Sequence, residues 1–319
     1  MKKWITIVLS VCVGTAALAT EEVSYLAGEL PPPAKIEKVL SAGNPADVLL
    51  LSSAPNKLLG LAGFNMEKRG KLFPEVQQTL PILGKIAGKG STLSPEKIVA
   101  LQPNLIIDVG NVTPNYIDQA KRTFEQTGVP YLLLDGKLSE TPTTLRYLGK
   151  VLGVENVTEP QAKYAEETLK QAVENASKFT KTFYLARSAD GLQTGQKDSI
   201  HTEAIERVGL KNVVEGDHKG LTQVSMEQLL LWQILKDNPQ WQKLSAVKNG
   251  QVFLIPNNPF GWLDSPPSVN RLLGVRWVSH LVSGKPIAEF AKEVQTFYHL
   301  FYQIELTAEK AAQLLHDVK

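Results

Sequence analysis

The apolar positions of this chain change their period along its length. In the first half they come as short, mostly apolar runs at 36–42, 58–62, 105–109 and 131–134, separated by helical patterns at 45–51, 95–101 and 115–127. Apolar runs this short, separated by helices, are expected of parallel strands covered by helices on both faces. From 141 the period becomes helical. One helix is expected at 141–152 and a longer one at 159–178, with Ala162, Ala165, Leu169, Ala172, Val173 and Ala176 on one stripe. At 1.5 Å per residue the longer helix spans about 30 Å, enough to join two lobes. Alternation then resumes, with strands expected at 182–186 and 252–256 and helices at 202–208, 225–232, 239–244, 266–282, 287–303 and 308–315. The pattern predicts an α/β protein of two Rossmann-like lobes with central, mostly parallel sheets, joined by one long bridging helix. The expected division is 20–155, 156–180 and 181–319, which suits a chain of 319 residues.

One unit occurs twice. Ser94-Pro95-Glu96-Lys97-Ile98-Val99-Ala100-Leu101-Gln102-Pro103 leads into the apolar run at 105–109; Ser225-Met226-Glu227-Gln228-Leu229-Leu230-Leu231-Trp232-Gln233 begins in the same way. The second copy has no apolar strand after it, because Gln233 runs directly into Ile234-Leu235-Lys236-Asp237-Asn238-Pro239. The second lobe is therefore expected to lack one strand after Gln233.

Residues 1–19 read as a secretory signal: Lys2 and Lys3, an apolar stretch, and Ala17-Leu18-Ala19 as the cleavage site. Lipidation at Cys12 is the weaker alternative, since the apolar run continues past it. Export changes the charge argument. The chain has 34 basic and 32 acidic residues, and the signal takes two lysines and no acid, so the mature chain is neutral. A nucleic-acid partner, which needs a basic patch or stripe, is not expected. The signal also takes Cys12, the only cysteine, so the mature fold is held by its core and not by disulfides.

Candidate chemistry gathers at the expected strand ends, where open α/β sheets bind ligands. Asn44 lies in the turn after the first strand, Tyr116 in the segment after the run at 105–109, and Arg187 after the strand at 182–186. Lys85 and Lys89 stand among Gly84, Gly88 and Gly90, a spacing that does not fit a nucleotide loop. They read either as a plain connection or as a loop facing an anion near the helix start at Ser94. The segment Phe260-Gly261-Trp262-Leu263-Asp264-Ser265-Pro266-Pro267-Ser268-Val269-Asn270-Arg271 is the densest. Asp264 or Ser265 is expected to cap the helix and Pro266 or Pro267 to start it; Trp262 and Arg271 suit an anionic, partly apolar ligand. Glu96 and Glu227 occupy matching positions. They read as first-turn acids that complement the helix dipole, or as one acidic knob per lobe for arginines of a partner. The five histidines are expected at surfaces or caps, and Phe297, Tyr298, Phe301 and Tyr302 in packing. No catalytic constellation is present, and an enzyme is not expected.

These features together resemble the substrate-binding proteins of iron-complex ABC importers, which take ferric siderophores, haem or cobalamin. The likeness runs from about Lys35 to Leu315 and is strongest at 93–109, 132–153 and 261–277. It implies a two-lobe clamp in the periplasm, monomeric, with no cofactor of its own and with an iron chelate as ligand. Glu96 and Glu227 would dock on an inner-membrane permease; Asn44, Lys85, Tyr116, Arg187, Trp262 and Arg271 are the expected ligand contacts. The segment at 261–271 is similar to a subgroup in which some members hold molybdate or tungstate, which is the alternative ligand. The chain departs from the family pattern after Gln233, where a proline, a strand and a loop are expected; a deletion variant with impaired binding is the further alternative.

Overall fold

The apolar runs of the first half become the centre of one sheet. The computed structural model describes residues 24–64, 66, 72–87, 90–176, 178–179, 181–216, 220–228 and 245–316. Strand β1 (Ser24–Ala27) precedes β2 (Val39–Ser41), helix α1 (Asn44–Ser53) and helix α2 (Pro95–Leu101). Then follow β3 (Leu105–Gly110), α3 (Pro114–Thr127), β4 (Tyr131–Asp135), α4 (Thr141–Leu152) and α5 (Glu155–Ala176). The sheet order is β1-β4-β3-β2. β2, β3 and β4 are parallel, and β1 runs antiparallel to β4 with Leu26 opposite Leu132. Every residue of β3 and β4 is buried, Asp108 and Asp135 among them, as strands covered on both faces require. β1 was not foreseen, since four residues ahead of a proline run carry little periodicity. The run at 58–62 forms no strand. It divides its ladder between two neighbours: Leu59 N–H donates to Val39 and Leu61 N–H to Pro81.

The second half is built differently. Its elements are β5 (Thr182–Phe183), β6 (Gln193–Gly195), α6 (Glu203–Glu206), β7 (Lys211–Asn212), β8 (Leu221–Gln223), α7 (Arg271–Val282), α8 (Ala291–Phe297) and α9 (Ala308–His316). Among the described residues there is no single parallel sheet here, contrary to expectation. β5 pairs with β7 in parallel, and β6 pairs with β8 antiparallel, as two separate two-stranded sheets. The run at 252–256 is not a strand; Phe253 and Leu254 are 48 % and 63 % exposed. Its counterpart β4 is held by ladders on both sides, and a lone extended segment without such a ladder does not become a strand. The expected helix at 239–244 and the expected loss of a strand after Gln233 lie outside the described residues, as does the signal segment.

Helix α5 packs on both α4 and α7. Arg146 of α4 reaches Glu159 at 2.8 Å and Glu166 at 2.5 Å, while Arg276 of α7 donates to Thr168 at 2.7 Å and lies 4.3 Å from the Tyr164 ring centre. The C-terminal aromatics pack as expected. Phe297 stacks on Phe301 at 4.5 Å, and Tyr302 meets Phe73 and Phe260 edge-on. Gln303 donates to the Ser52 carbonyl, so the chain's end also holds α1. One hydrophobic cluster runs through Leu50, Leu148, Leu169, Val208, Leu273 and Phe297, and thus through both halves. Among the described residues no helix is long and apolar enough to cross a membrane.

Candidate binding cleft

The turn after β2 and the turn after β4 meet the second half directly. Ser268 donates through Oγ to the Pro45 carbonyl at 2.9 Å. Arg271 donates to the Gly136 carbonyl at 2.5 Å, and the Leu138 N–H donates to both oxygens of Glu203 at 3.0 and 2.9 Å. Arg271 also gives Nη1 to Glu203 at 3.0 Å and to the Ile200 carbonyl at 3.2 Å, and Nε to the Ser268 carbonyl at 3.2 Å. Burial pushes the Arg271 guanidinium down and Glu203 holds it up. The guanidinium is spent on this clasp: the side chain expected at a ligand is buried and ties the two halves together. Beside it lies a cavity of about 20 Å³ bordered by Asp135, Gly136, Thr144, Ser268 and Arg271, room for one water.

On the first half, Asn44 and Lys85 converge. A Cβ on Gly63 would lie 2.8 Å from Asn44 Oδ1 and 3.0 Å from Lys85 Cε, so only glycine lets the two side chains come this close. Asn44 Oδ1 is buried without a hydrogen-bond partner, an open acceptor in a polar corner. Beneath it, Asp47 accepts from the Ala62 N–H at 2.9 and 3.0 Å and from the Gly63 N–H at 3.3 Å. Burial lifts its carboxyl from the ordinary 3.8 to about 6, against the opposing pull of those bonds and of Lys85. Tyr116 packs against the end of β3: a Cβ on Gly110 would lie 3.2 Å from its ring. Burial, then the nearby Asp108 carboxylate, raises the Tyr116 phenol above its ordinary range.

On the second half, Arg187 follows β5 and pairs with Asp264, whose other oxygen meets His201 Nδ1. Asp264 is 5 % exposed. It therefore does not cap α7. That helix starts at Arg271, later than expected, with no side-chain cap at Asn270. The physical reason is Asn270 Nδ2, which donates to the carbonyls of Gly261 and Pro266 and folds residues 261–266 back on themselves. Pro266 and Pro267 precede the helix and do not open it. His201 departs from the expected surface role. Burial, then the charges of Arg187 and Arg271, push its imidazole down to about 4, while contact with the Asp264 carboxylate works in the opposite direction.

Trp262 is also placed differently from expectation. It is 1 % exposed, with its ring edge-on to Trp277 at 6.3 Å and tilted against Phe290 at 6.2 Å. A large apolar ring beside a helix packs against that helix before it packs against a ligand. The structure brings Asn44 and Lys85 together beside Gly63, seats Tyr116 against Gly110, and pairs Arg187 with Asp264 in the second half. It adds Asp47, His201, Glu203 and Asp264, which sequence reasoning missed. Asp264 carried a signal in its Gly-Trp and Pro-Pro flanks; the rest carried none, because burial of a charge is not written in local pattern. Among the described residues no three His, Cys, Asp or Glu side chains gather closely enough to hold a metal ion.

Glu96 and Glu227 are both exposed and start their helices alike. The Ser94 hydroxyl accepts from the Lys97 N–H at 3.4 Å and the Ser225 hydroxyl from the Gln228 N–H at 3.2 Å. In each case the glutamate's own N–H, then the serine hydroxyl, holds its carboxyl below the ordinary range.

No protein-family model matches the chain, and no curated protein matches it. Solved structures do. An ABC transporter solute binding protein from Sulfurospirillum deleyianum is 26 % identical and superposes with a TM-score of 0.80 over 89 % of this chain and 95 % of that one. A periplasmic solute binding protein from Veillonella parvula is 20 % identical, with a TM-score of 0.69 over 90 % of this chain and 93 % of that one. The molybdate periplasmic binding protein MolA of Haemophilus influenzae, solved with molybdate, is 17 % identical, with a TM-score of 0.65 over 88 % of this chain and 96 % of that one. The chain has the class III fold of the periplasmic binding proteins of ABC transporters.

Proposed function

We propose that this protein is the solute-binding component of an ABC importer, exported to the periplasm with cleavage after Ala19. In this reading it performs no chemical step. It takes an iron complex, a siderophore-type chelate or haem, between lobes 20–155 and 181–319, and carries it as a monomer to a permease in the inner membrane. The observation that carries the reading is the likeness to the Sulfurospirillum solute binding protein over nearly the whole of both chains. Two local features support it. Lys85 lies beside Asn44 in the turn region after β2, and Arg187 follows β5 in the second half, where Asp264 and His201 hold it in place. Glu96 and Glu227, exposed on matching helix starts, are the docking points for arginines of the permease.

A molybdate or tungstate receptor is the second reading. It is favoured by the likeness to MolA, which was solved with molybdate. Tryptophan fluorescence separates the two. Quenching by a coloured ferric chelate and not by molybdate is the expected result, and the reverse would replace the first reading with the second. Docking is tested in cells that depend on this protein for the solute. Glu96→Ala with Glu227→Ala is expected to abolish uptake while binding and melting temperature stay as in the parent; unchanged uptake would remove the docking role.

A further inference from the structure

The bonds that join the two halves at the cleft share one design. On the first half they use main-chain groups, at the ends of β2 and β4 where open α/β sheets bind ligands: the Pro45 carbonyl, the Gly136 carbonyl and the Leu138 N–H. On the second half they use three side chains, Ser268, Arg271 and Glu203. Main-chain groups have no rotamers, so the reach of those side chains fixes the gap. Both ends stand on firm supports. The Gly136 N–H donates to the Gly110 carbonyl at 2.7 Å, which ties the turn after β4 to the end of β3, and Leu138 is fully buried. Arg271 opens α7, and its guanidinium is held within the second half by the Ile200 and Ser268 carbonyls. Glu203 meets Arg271 at 3.0 Å, so the two side chains brace each other. Elsewhere the halves meet through α5 and the C-terminal segment, where Gln161 donates to the carbonyls of Ser52 and Leu300 at 2.8 and 3.0 Å. Packed helices can slide or hinge by small amounts. A second attachment of fixed reach, on the cleft side, removes that freedom.

We propose that Glu203 and Arg271 act as a spacer, setting the distance between the lobes at the cleft and so selecting the solute by size. Neither touches the solute: the guanidinium is buried and engaged, and both Glu203 oxygens face Leu138. They are positioning residues. Glu203 is the partly exposed member, at 27 %, so it can release the Leu138 N–H without unfolding either half. The cavity bordered by Asp135, Thr144, Ser268 and Arg271 leaves room for one water to take over a broken bond. The inference rests on the receptor reading above and adds what limits the size of its solute.

The test uses residues 20–319, which contain no cysteine. Gln126→Cys and Lys211→Cys, both at exposed positions and in opposite halves, carry spin labels, and pulsed electron resonance reads their separation. Tryptophan quenching reads affinity for three probes of different size: molybdate, a ferric tris-catecholamide and haemin. The parent is expected to show one narrow distance and to prefer one probe. Glu203→Gln, which keeps the bulk and loses the charge, should broaden the distance and reduce that preference by about 5-fold or more. Ser268→Ala, which removes only the bond to Pro45, should move both in the same direction by less, and it decides the matter if the glutamine variant melts early. Parent-like distance and preference in both variants overturn the inference alone. So does a broadened distance with the preference unchanged, or an equal loss of affinity for every probe, which a merely structural role would give. A parent protein that binds none of the three overturns the receptor reading and the selection with it.

Discussion

The helix starts at Ser94 and Ser225 are alike in cap, acid and exposure, and the structure around them is not. The first leads into β3, buried along its whole length between β2 and β4. The second half has no such centre among its described residues: β5 and β7 share two residue pairs, and Phe253 and Leu254 lie open to solvent. Two-stranded pairs of this length are marginal alone. The comparison teaches where stability resides. The first half is held by its own sheet; the second is held by what it leans on, namely α5, the C-terminal aromatics and the clasp of Arg271 with Glu203.

That contrast can be broken by experiment, and the largest effect is expected at the clasp. Glu203→Ala leaves the Arg271 guanidinium buried without its carboxylate, and loss of one partner of a buried pair costs about 3–5 kcal/mol. Urea denaturation measures it; a cost under 1 kcal/mol would mean that the second half stands by itself. Next is the sheet centre. Ile107→Ala, at a fully buried position, should cost about 2–5 kcal/mol, whereas Leu254→Ala should change stability by less than about 0.5 kcal/mol. Equal losses in the same denaturation series would show that the segment at 252–256 is as well packed as β3.

The halves should also respond to pH with opposite sign. Asp47 has its folded pKa raised from 3.8 to about 6, so its contribution is full below pH 3.8 and is lost as pH rises through 6. A shift of this size corresponds to roughly 3 kcal/mol. His201 has its folded pKa lowered from 6.5 to about 4, so its contribution is full above 6.5 and is lost as pH falls through 4. Asp47→Asn removes the first trend and keeps an acceptor for the Ala62 N–H. Its stability should rise with pH between 4 and 6.5 more steeply than the parent's, as followed by urea midpoints across that window; parallel curves would show that Asp47 does not titrate there. The smallest effect concerns the shared motif. Ser94→Ala and Ser225→Ala each remove a helix cap, worth about 1 kcal/mol. Thermal melts should show the full loss for Ser94, whose helix is anchored through buried Ile98 beside the sheet, and a smaller one for Ser225.

How much of this was legible in the chain depends on the kind of residue. The runs at 105–109 and 131–134 and the helices at 95–101 and 141–152 lie where their periodicity puts them, because a strand buried on both faces leaves a signal in its own few residues. The start of α7 was misjudged. Asp264, Pro266 and Pro267 form a good local helix start, and Asn270 overrides it through bonds that only the folded loop provides. In the sequence, Asn44, Tyr116 and Arg187 stand out by their position after expected strands, and Lys85 by the glycines around it. His201 and Asp264 were not found together, since they are distant in sequence and their pairing needs the loop before α7 to fold back on the second half.

The sequence alone thus determined the α/β class, the buried parallel strands β3 and β4 with the helices around them, and the repeated acidic helix start, since each depends on interactions among near neighbours. Tertiary structure decided which charges are buried, which half supports the other, and that Arg271 and Trp262 belong to the interior. Those outcomes depend on desolvation and on partners brought in from distant segments, and neither is a property of a residue's sequence neighbours.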